Sequence, residues 1–168
     1  CKTLEAFEAQ RDWFHSAGID LVTGVTNAKR LEIESKTIFT EQCQAAGLPV
    51  VPGIEVRTAD ELQEAYGALR SESDSRICIK PVTGIYGAGF WVFDETADTF
   101  RSLAYPDSRR VRFEVYRDLY AQSDRIEPQL LMPHFPGDEV SVDIVMHKGQ
   151  AMSWVGRRKL GLYQEFEI

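Results

Sequence analysis

Cysteine is scarce in this chain, and its placement excludes two classes of protein. The 168 residues contain three cysteines, Cys1, Cys43 and Cys78, which are widely separated. An odd number of scattered thiols does not form the disulfide framework of a small secreted domain, and no pair has the CxxC spacing of a metal site. The cysteine pattern therefore predicts a reducing, cytoplasmic location.

Long apolar runs and an excess of positive charge are also missing. No apolar run approaches the roughly 20 residues that a membrane-spanning helix needs. The formal net charge is −7, which disfavours a surface that binds nucleic acid. We therefore expect neither a membrane nor a nucleic acid among the partners. The 43% hydrophobic content is enough for the packed core of one domain, or of part of a larger one.

Several familiar catalytic motifs are absent as well. The chain has no GxxxxGK[ST] phosphate loop and no GxGxxG dinucleotide fingerprint. His15, His134 and His147 are scattered, with no Cys or Ser partner that would suggest a nucleophile. The order of a protein kinase is also wrong, because the glycine-rich segment here follows a lysine-bearing strand instead of preceding it.

The most informative stretch runs from Arg76 to Asp94. An apolar strand pattern ends in Lys80, and a glycine-rich segment with Gly84, Gly87 and Gly89 follows before the apolar pattern resumes. Glycines allow backbone N–H groups to approach an anion, and lysine supplies a positive charge, so the pattern suggests a phosphate site. An ordinary hairpin with a solvated lysine explains the same residues, and both interpretations stay open at this point.

Helices are predicted from apolar periodicity, N-terminal caps and terminal glycines. The predicted helices cover 3–17, 36–46, 59–70, 95–103 and 113–122, with Ser35 as the cap of the second and Thr58 and Glu61 as a capping box for the third. A short strand is predicted from Ile19 to Val25. Lys36 stands in a first helical turn, where the helix dipole disfavours a cation; a solvated lysine and a ligand-binding lysine both remain open.

The second half predicts a strand at 129–132 and an antiparallel hairpin with strands at 139–146 and 151–157, joined by Lys148 and Gly149. Glu139 and Asp143 share one face of the hairpin, where they meet either a ligand or water. Three cations, Arg157, Arg158 and Lys159, close the hairpin and could hold phosphate or carboxylate oxygens or simply favour solubility. A second basic cluster, formed by Arg109, Arg110 and Arg112, is interpreted as solvated surface.

In their order along the chain, four of these segments resemble the ATP-grasp superfamily. They are the helix that begins Ser35-Lys36-Thr37, the strand that ends Ile79-Lys80-Pro81, the glycine-rich segment up to Gly89, and the octapeptide from Pro136 to Asp143, which is similar to the family's "pGeEysvd" segment. The resemblance implies an α+β fold in which two α+β subdomains clasp ATP, incomplete at the carboxyl terminus. It divides the chain into the end of a preceding α/β domain (1–30), an amino-terminal subdomain with a glycine-rich flap (31–127) and the truncated start of a carboxyl-terminal subdomain (128–168).

The resemblance also implies roles for individual residues. Lys36 and Lys80 match the lysines that contact the phosphates, with Lys80 also near the adenine. The flap over the phosphates corresponds to a loop that includes Thr83, Gly84, Gly87 and Gly89. The backbone C=O of Met132 and N–H of Phe135 match the adenine hinge, and Glu139 matches the carboxylate that binds the ribose hydroxyls. Arg157 or Lys159 resembles a catalytic cation that meets the γ-phosphate or an acyl phosphate.

Two departures from the family pattern stand out. Met132 and Pro133 replace the charged residues common at the hinge, which a backbone-mediated contact tolerates. The family's Mg²⁺ ligands, an acidic residue and a Glu-x-Asn segment, have no match in this chain and are expected beyond Ile168. We therefore expect a truncated fragment that is inactive alone.

The chemistry implied by the resemblance is that of a carboxylate–amine ligase. ATP, with Mg²⁺, would phosphorylate a small-molecule carboxylate, and an amine or similar nucleophile would attack the acyl phosphate. A kinase or phosphotransferase on the same fold and a non-catalytic nucleotide-binding module are the alternatives. The sequence identifies neither the carboxylate nor the amine, and a homodimer is left open.

Overall fold

The computed structural model describes residues 2–22, 27–84, 87–105, 109–123 and 127–159. Helices in this part are α1 (Lys2–Ala9), α2 (Arg11–Ser16), α3 (Asn27–Glu34), α4 (Lys36–Ala45), α5 (Ala59–Glu72), α6 (Thr99–Ala104) and α7 (Phe113–Ala121). Strands are β1 (Ile54–Val56), β2 (Ile77–Pro81), β3 (Trp91–Phe93), β4 (Arg110–Val111), β5 (Gln129–Pro133), β6 (Glu139–His147) and β7 (Gln150–Lys159). The predicted α+β class is confirmed.

A five-stranded sheet in the order β1-β5-β2-β3-β4 forms the centre of the fold. Its pairs are antiparallel, except that β3 and β4 run parallel. Strand β5 therefore lies between β1 and β2, although β1 ends at Val56 and β5 begins only at Gln129. The sheet includes β5 and therefore extends across the predicted boundary at 127/128 as far as Pro133. The division into two subdomains stays a prediction.

Helices α5 and α7 cover one face of this sheet and build the core. Leu62, Phe113, Ile79 and Leu131 are almost completely buried. The ring of Tyr66 stacks on that of Phe113 at a centroid distance of 3.7 Å. Because side chains alternate along a strand, Ile77 and Ile79 enter the core while Cys78 and Lys80 point to the opposite face of the sheet.

The predicted caps set the starts of two helices. The Ser35 hydroxyl accepts a hydrogen bond from the Ile38 N–H, as expected for the cap of α4. At α5, the Thr58 hydroxyl accepts from the Glu61 N–H, and the Glu61 carboxylate accepts from the Arg57 N–H. Each cap satisfies donors that the first helical turn leaves without intrahelical partners.

The amino-terminal predictions need correction. The helix expected over 3–17 is divided into α1 and α2, because Gln10 leaves helical geometry with φ −110° and ψ 14°. Residues 19–22 of the predicted strand are not a strand, and 23–25 lie outside the described residues. Helix α3 was not predicted. The helix expected from Glu95 begins at Thr99, because Asp98 caps it through the Arg101 N–H.

A buried carboxylate corrects the interpretation of the basic cluster as solvated surface. The side chain of Asp94 is 5% exposed and lies 3.3 Å from Arg76 and 3.4 Å from Arg110. Its other oxygen accepts hydrogen bonds from the N–H and hydroxyl of Thr96. Those hydrogen bonds, and then the two guanidinium groups, lower the pKa of Asp94. Arg109 is itself buried, so Arg109 and Arg110 contribute to the fold.

The hairpin β6–β7 has the predicted two-residue turn. Lys148 and Gly149 both have positive φ, 48° and 78°, as a tight hairpin turn requires. Ile144 lies opposite Trp154 in the register, and a shift between Val145 and Met146 marks a bulge. The side chains of β6 are exposed, and so are those described in β7. Within the described residues, no helix combines the length and the apolar character that a membrane crossing requires.

Candidate functional site

A cleft of about 630 Å³ opens on the sheet face opposite the core helices. This volume lies within the usual range for small-molecule sites. Its wall is made by the start of α4, by β2 with the glycine-rich segment after it, and by the end of β5 with the segment that leads into β6. The lining residues are Lys36, Cys78, Lys80, Pro81, Gly84, Gly87, Ala88, Phe90, Met132, Pro133, His134, Phe135, Pro136, Gly137, Asp138 and Glu139.

Seven of the eleven predicted site residues meet at this cleft. They are Lys36, Lys80, Gly84, Gly87, Met132, Phe135 and Glu139. Thr83 and Gly89 belong to the same segment but do not line the cleft. The remaining two, Arg157 and Lys159, are on β7. Residues far apart in sequence are thus brought together as the prediction requires, while their roles remain predictions.

Cys78 forms part of the cleft wall beside Lys80, and the sequence analysis missed it. Its thiol lies 3.6 Å from the carbonyl oxygen of Met132. Burial raises the pKa of Cys78 to about 11, so the side chain is a neutral thiol near neutral pH and is not suited to nucleophilic attack. The alternation of side chains along a strand could have identified Cys78, because a residue two positions before Lys80 lies on the same face of the strand as Lys80.

Lys36 is bound to the backbone that follows β2. Its N–H donates to the Val82 carbonyl at 3.0 Å. Its ammonium lies 2.9 Å from the carbonyl oxygen of Pro81 and 3.3 Å from those of Val82 and Gly84. Burial, and then the charge of Lys80, lower the pKa of Lys36. A lysine in a first helical turn is therefore explained by contacts with carbonyl dipoles outside its own helix.

Gly89 closes the glycine-rich segment against Pro81. Its φ is +74°, in the left-handed region that favours glycine. A Cβ atom at this position would lie 2.7 Å from Cγ of Pro81, which is closer than real contacts allow. Gly89 thus has a structural reason to be glycine although it does not line the cleft. Residues 85 and 86 lie outside the described residues.

Backbone direction along β5 decides which groups a ligand can reach. The His134 N–H donates to the Arg76 carbonyl at 2.6 Å, and at the other end of the pair the Val82 N–H donates to the Pro128 carbonyl at 2.9 Å. Hydrogen-bonded pairs alternate along an antiparallel ladder. Met132, which lies opposite Cys78, therefore also directs its backbone groups towards β2.

The alternate residues of this segment direct their backbone groups to the other side. On that side β1 ends at Ile54, which pairs with Leu131, so β1 does not reach Pro133 or Phe135. This direction favours the Pro133 carbonyl as the hinge acceptor over the Met132 carbonyl named in the sequence analysis, and the hinge contact itself stays a prediction. Phe135 lies two residues beyond the end of β5, so the direction of its N–H stays a prediction, and a single residue separates it from Pro133.

His134 and Phe90 form a further part of the wall that the sequence analysis did not identify. Their ring centroids are 6.4 Å apart. Burial, followed by the charges of Arg76 and Arg110, lowers the pKa of His134. The imidazole is therefore mainly neutral near pH 7, and it presents a flat polar ring to the cleft.

The hairpin contributes Asp138 and Glu139 to the cleft through its first residues. Arg157 does not line the cleft and forms an ion pair with Asp143 at 2.6 Å. Lys159 lies opposite Glu139 in the register, but its side chain is outside the described part. The predicted contacts of Arg157 and Lys159 with a phosphoryl group remain predictions.

A Mg²⁺ site was not expected in this chain. In the ranges that the structure describes, no group of three or more His, Cys, Asp or Glu side chains is arranged to hold a metal ion. Asp138 and Glu139 line the cleft as two neighbouring acidic residues, which is too few for a complete protein-derived site. The described residues alone make no complete metal site, the expectation of ligands beyond Ile168 stays a prediction, and no step of the chemistry below depends on a metal ion.

Comparison with known proteins finds a family model that matches the carboxyl-terminal part of the chain. Residues 125–168 match the family model described as "ATP-grasp in the biosynthetic pathway with Ter operon". This match covers about a quarter of the chain, from just before β5 to the end of the sequence. The matched region includes β5, the backbone groups at 133 and 135, and the hairpin.

Other comparisons add little beyond this match. No curated protein matches the chain. Among solved structures, the chain is similar to one described as "Structure of ATP-grasp ligase PsnB complexed with minimal precursor", with 16% sequence identity and a TM-score of 0.46. The alignment covers 92% of this chain and 45% of that one, so the chain spans less than half the length of the ATP-grasp ligase it resembles.

Proposed function

We propose that the cleft binds ATP and that the protein is an ATP-dependent ligase that activates a carboxylate. The observation that carries this proposal is the convergence of Lys36, Lys80 and a glycine-rich segment with the backbone groups of Pro133 and Phe135 around a single cleft. Cationic groups at one part of a cleft and a backbone acceptor and donor at another match the two ends of a nucleotide.

Each group has a proposed role that follows from its chemistry. The ammonium groups of Lys80 and Lys36, with N–H groups of the glycine-rich segment, would bind phosphate oxygens. The Pro133 carbonyl would accept from the exocyclic amine of adenine, and the Phe135 N–H would donate to a ring nitrogen. Glu139 would accept hydrogen bonds from the ribose hydroxyls. Together these contacts would fix the direction in which the γ-phosphate points.

The proposed reaction is phosphorylation of a small-molecule carboxylate by ATP, followed by attack of an amine on the acyl phosphate. Phosphoryl transfer depends chiefly on positioning and on neutralising charge, so no nucleophilic side chain is needed. This agrees with the neutral thiol of Cys78. Arg157 and Lys159 are proposed to contact the transferred group. The match of residues 125–168 to an ATP-grasp family model supports the proposed use of ATP.

Titration calorimetry with ATP tests the proposed binding site. Lys80→Ala and Glu139→Ala should each weaken ATP binding about tenfold or more, since each removes a hydrogen-bonding group whose ligand partner stays desolvated. Lys29→Ala is the matched control, because Lys29 is exposed and pairs with Glu32 on the same helix. The control should bind ATP like the wild type.

Unchanged ATP affinity in both cleft variants would contradict the proposed site. The ligase step is tested separately, by ADP release from the full-length protein supplied with ATP, an amine and a panel of carboxylates. ADP release that requires both a carboxylate and an amine is expected. Release that instead depends on a hydroxyl compound would favour a kinase.

A further inference from the structure

The backbone after β2 is held by a lysine from a different part of the chain. We call residues 81–84 the loop stem, because they connect β2 to the glycine-rich segment. Lys36 contacts the loop stem through four hydrogen bonds, one from its backbone N–H and three from its ammonium group. These contacts span 45 to 48 residues of sequence, so they are tertiary contacts that fix the position of the stem.

The ammonium group is fully used by these contacts. It carries three N–H donors, and three carbonyl oxygens, those of Pro81, Val82 and Gly84, lie within hydrogen-bonding distance. Hydrogen bonds from a charged donor are stronger than those between neutral groups. Lys36 as a residue is half-buried, and its bonds to Pro81 and Val82 are partly shielded from water.

The other side of the stem is packed as well. The backbone of Gly89 lies against the ring of Pro81, where a Cβ atom would meet both Cγ and Cδ within 3.0 Å. The Val82 N–H donates to the Pro128 carbonyl, which ties the stem to the segment before β5. Lys36 thus supplies the one charged contact among the described contacts that converge on the stem.

We infer that Lys36 is a positioning residue, whose ammonium group sets the conformation of the loop stem when no nucleotide is bound. This goes beyond the proposed function, in which Lys36 contacts phosphate. To reach a phosphate oxygen the ammonium group must release at least one carbonyl, so nucleotide binding and stem conformation are coupled through this side chain.

The test is amide hydrogen exchange at residues 82–84, measured without added nucleotide in the wild type and in three variants. Lys36→Met keeps the length of the side chain and removes its charge and donors. It should increase exchange at the stem about tenfold or more, because three hydrogen bonds from a charged donor are lost. Lys36→Arg retains charged donors and should restore much of the protection. Lys29→Met, on the adjacent helix, should exchange like the wild type.

Two results would overturn the inference. One is exchange at residues 82–84 in Lys36→Met that equals the wild-type rate. The other is an equal increase throughout α5 and α7, since the contact would then support the whole fold rather than the stem. Because no nucleotide is added, the measurement does not depend on the proposed ATP site. The positioning role of Lys36 and the proposed ATP binding can therefore be refuted separately.

Discussion

Asp94 shows at the scale of one residue how the sheet edge is held together. Its carboxylate joins Arg76 before β2 to Arg110 in β4, while Thr96 supplies two further hydrogen bonds. Asp94→Asn removes the charge but keeps the shape. It should lower the free energy of unfolding by about 1–3 kcal/mol, since a buried hydrogen-bonded charge is lost and two guanidinium groups keep no anion.

The lowered pKa of Asp94 gives this prediction a pH dependence. Because the folded-state pKa lies below the ordinary value of 3.8, the carboxylate stabilises the fold above that value, and the contribution is lost as the pH falls through the folded-state pKa. In urea unfolding, the free energy of unfolding of Asp94→Asn should lie below that of the wild type by a constant amount from about pH 7 to about pH 5. This difference should shrink towards about pH 3.

The matched control for Asp94 is Asp118→Asn, which affects an exposed ion pair with Arg117. An exposed pair contributes less than about 1 kcal/mol, so this variant should unfold like the wild type. An Asp94→Asn protein as stable as the wild type near pH 7 would be incompatible with the role given to the carboxylate.

The backbone groups at 133 and 135 make a prediction about base selectivity. Inosine triphosphate carries a carbonyl where ATP has its exocyclic amine and an N–H where ATP has a ring acceptor, so both hydrogen bonds of the proposed hinge become mismatched. We expect roughly ten- to hundredfold weaker binding of inosine triphosphate than of ATP in calorimetry.

Glu139→Ala provides the control for base selectivity, since the proposed ribose contact is common to both nucleotides: the variant should weaken the binding of both and leave the ratio of their affinities unchanged. Equal affinities of the wild type for ATP and inosine triphosphate would rule out base recognition by these backbone groups.

Single residues differ in how well the sequence predicts their positions. Lys36, Lys80 and Glu139 could be placed at one site because each stands within a motif. Cys78 and His134 stand in no motif, and their position at the cleft depends on the pairing of β2 with β5. The choice between the Met132 and Pro133 carbonyls at the hinge depends on the same pairing, because the direction of a carbonyl follows from the register of a ladder.

The glycine-rich segment is the element on which the site depends most. Gly89→Ala should destabilise the protein by about 1–2 kcal/mol, because alanine is strained at positive φ and its Cβ would be 2.7 Å from Pro81. The same variant should weaken ATP binding, since the segment would be displaced from the cleft. Urea unfolding and calorimetry measure the two effects.

Gly67→Ala is the control for this element and should have the opposite effect. Gly67 lies within α5, and nothing is within 4 Å of the position of an added Cβ. Alanine should raise stability there by about 0.5–1 kcal/mol without changing ATP affinity. If Gly89→Ala and Gly67→Ala both kept the stability and ATP affinity of the wild type, Gly89 would not be constrained by Pro81.

Elements with strong local signals were predicted well, and those without them were not. Ser35 and Thr58 fix the starts of α4 and α5 through hydrogen bonds within a few residues of sequence. Strands β1 and β4 contain three and two residues, which is too short for an alternation of apolar and polar residues to be recognised. They are strands only because β5 and β3 lie beside them. Residues 19–22 have an apolar pattern but no neighbouring strand in the described part.

For the whole molecule, topology rather than composition brings the site together. The insertion of β5 between β1 and β2 places residues 132–139 beside Lys80, although more than 50 residues separate them in sequence. The sequence alone could give the order of the motifs but not this pairing, because long-range register has no local signal. The family match over 125–168 covers the segment that the insertion brings to the cleft.

The most direct test of the central claim is photolabelling with 8-azido-ATP, followed by mass spectrometry of the labelled peptides. If the cleft binds ATP with the base at Pro133 and Phe135, the label should lie in peptides that contain residues 131–139 or 77–81, and excess ATP should prevent the labelling. Saturable labelling confined to other parts of the chain, or no labelling that ATP competes for, would contradict the account.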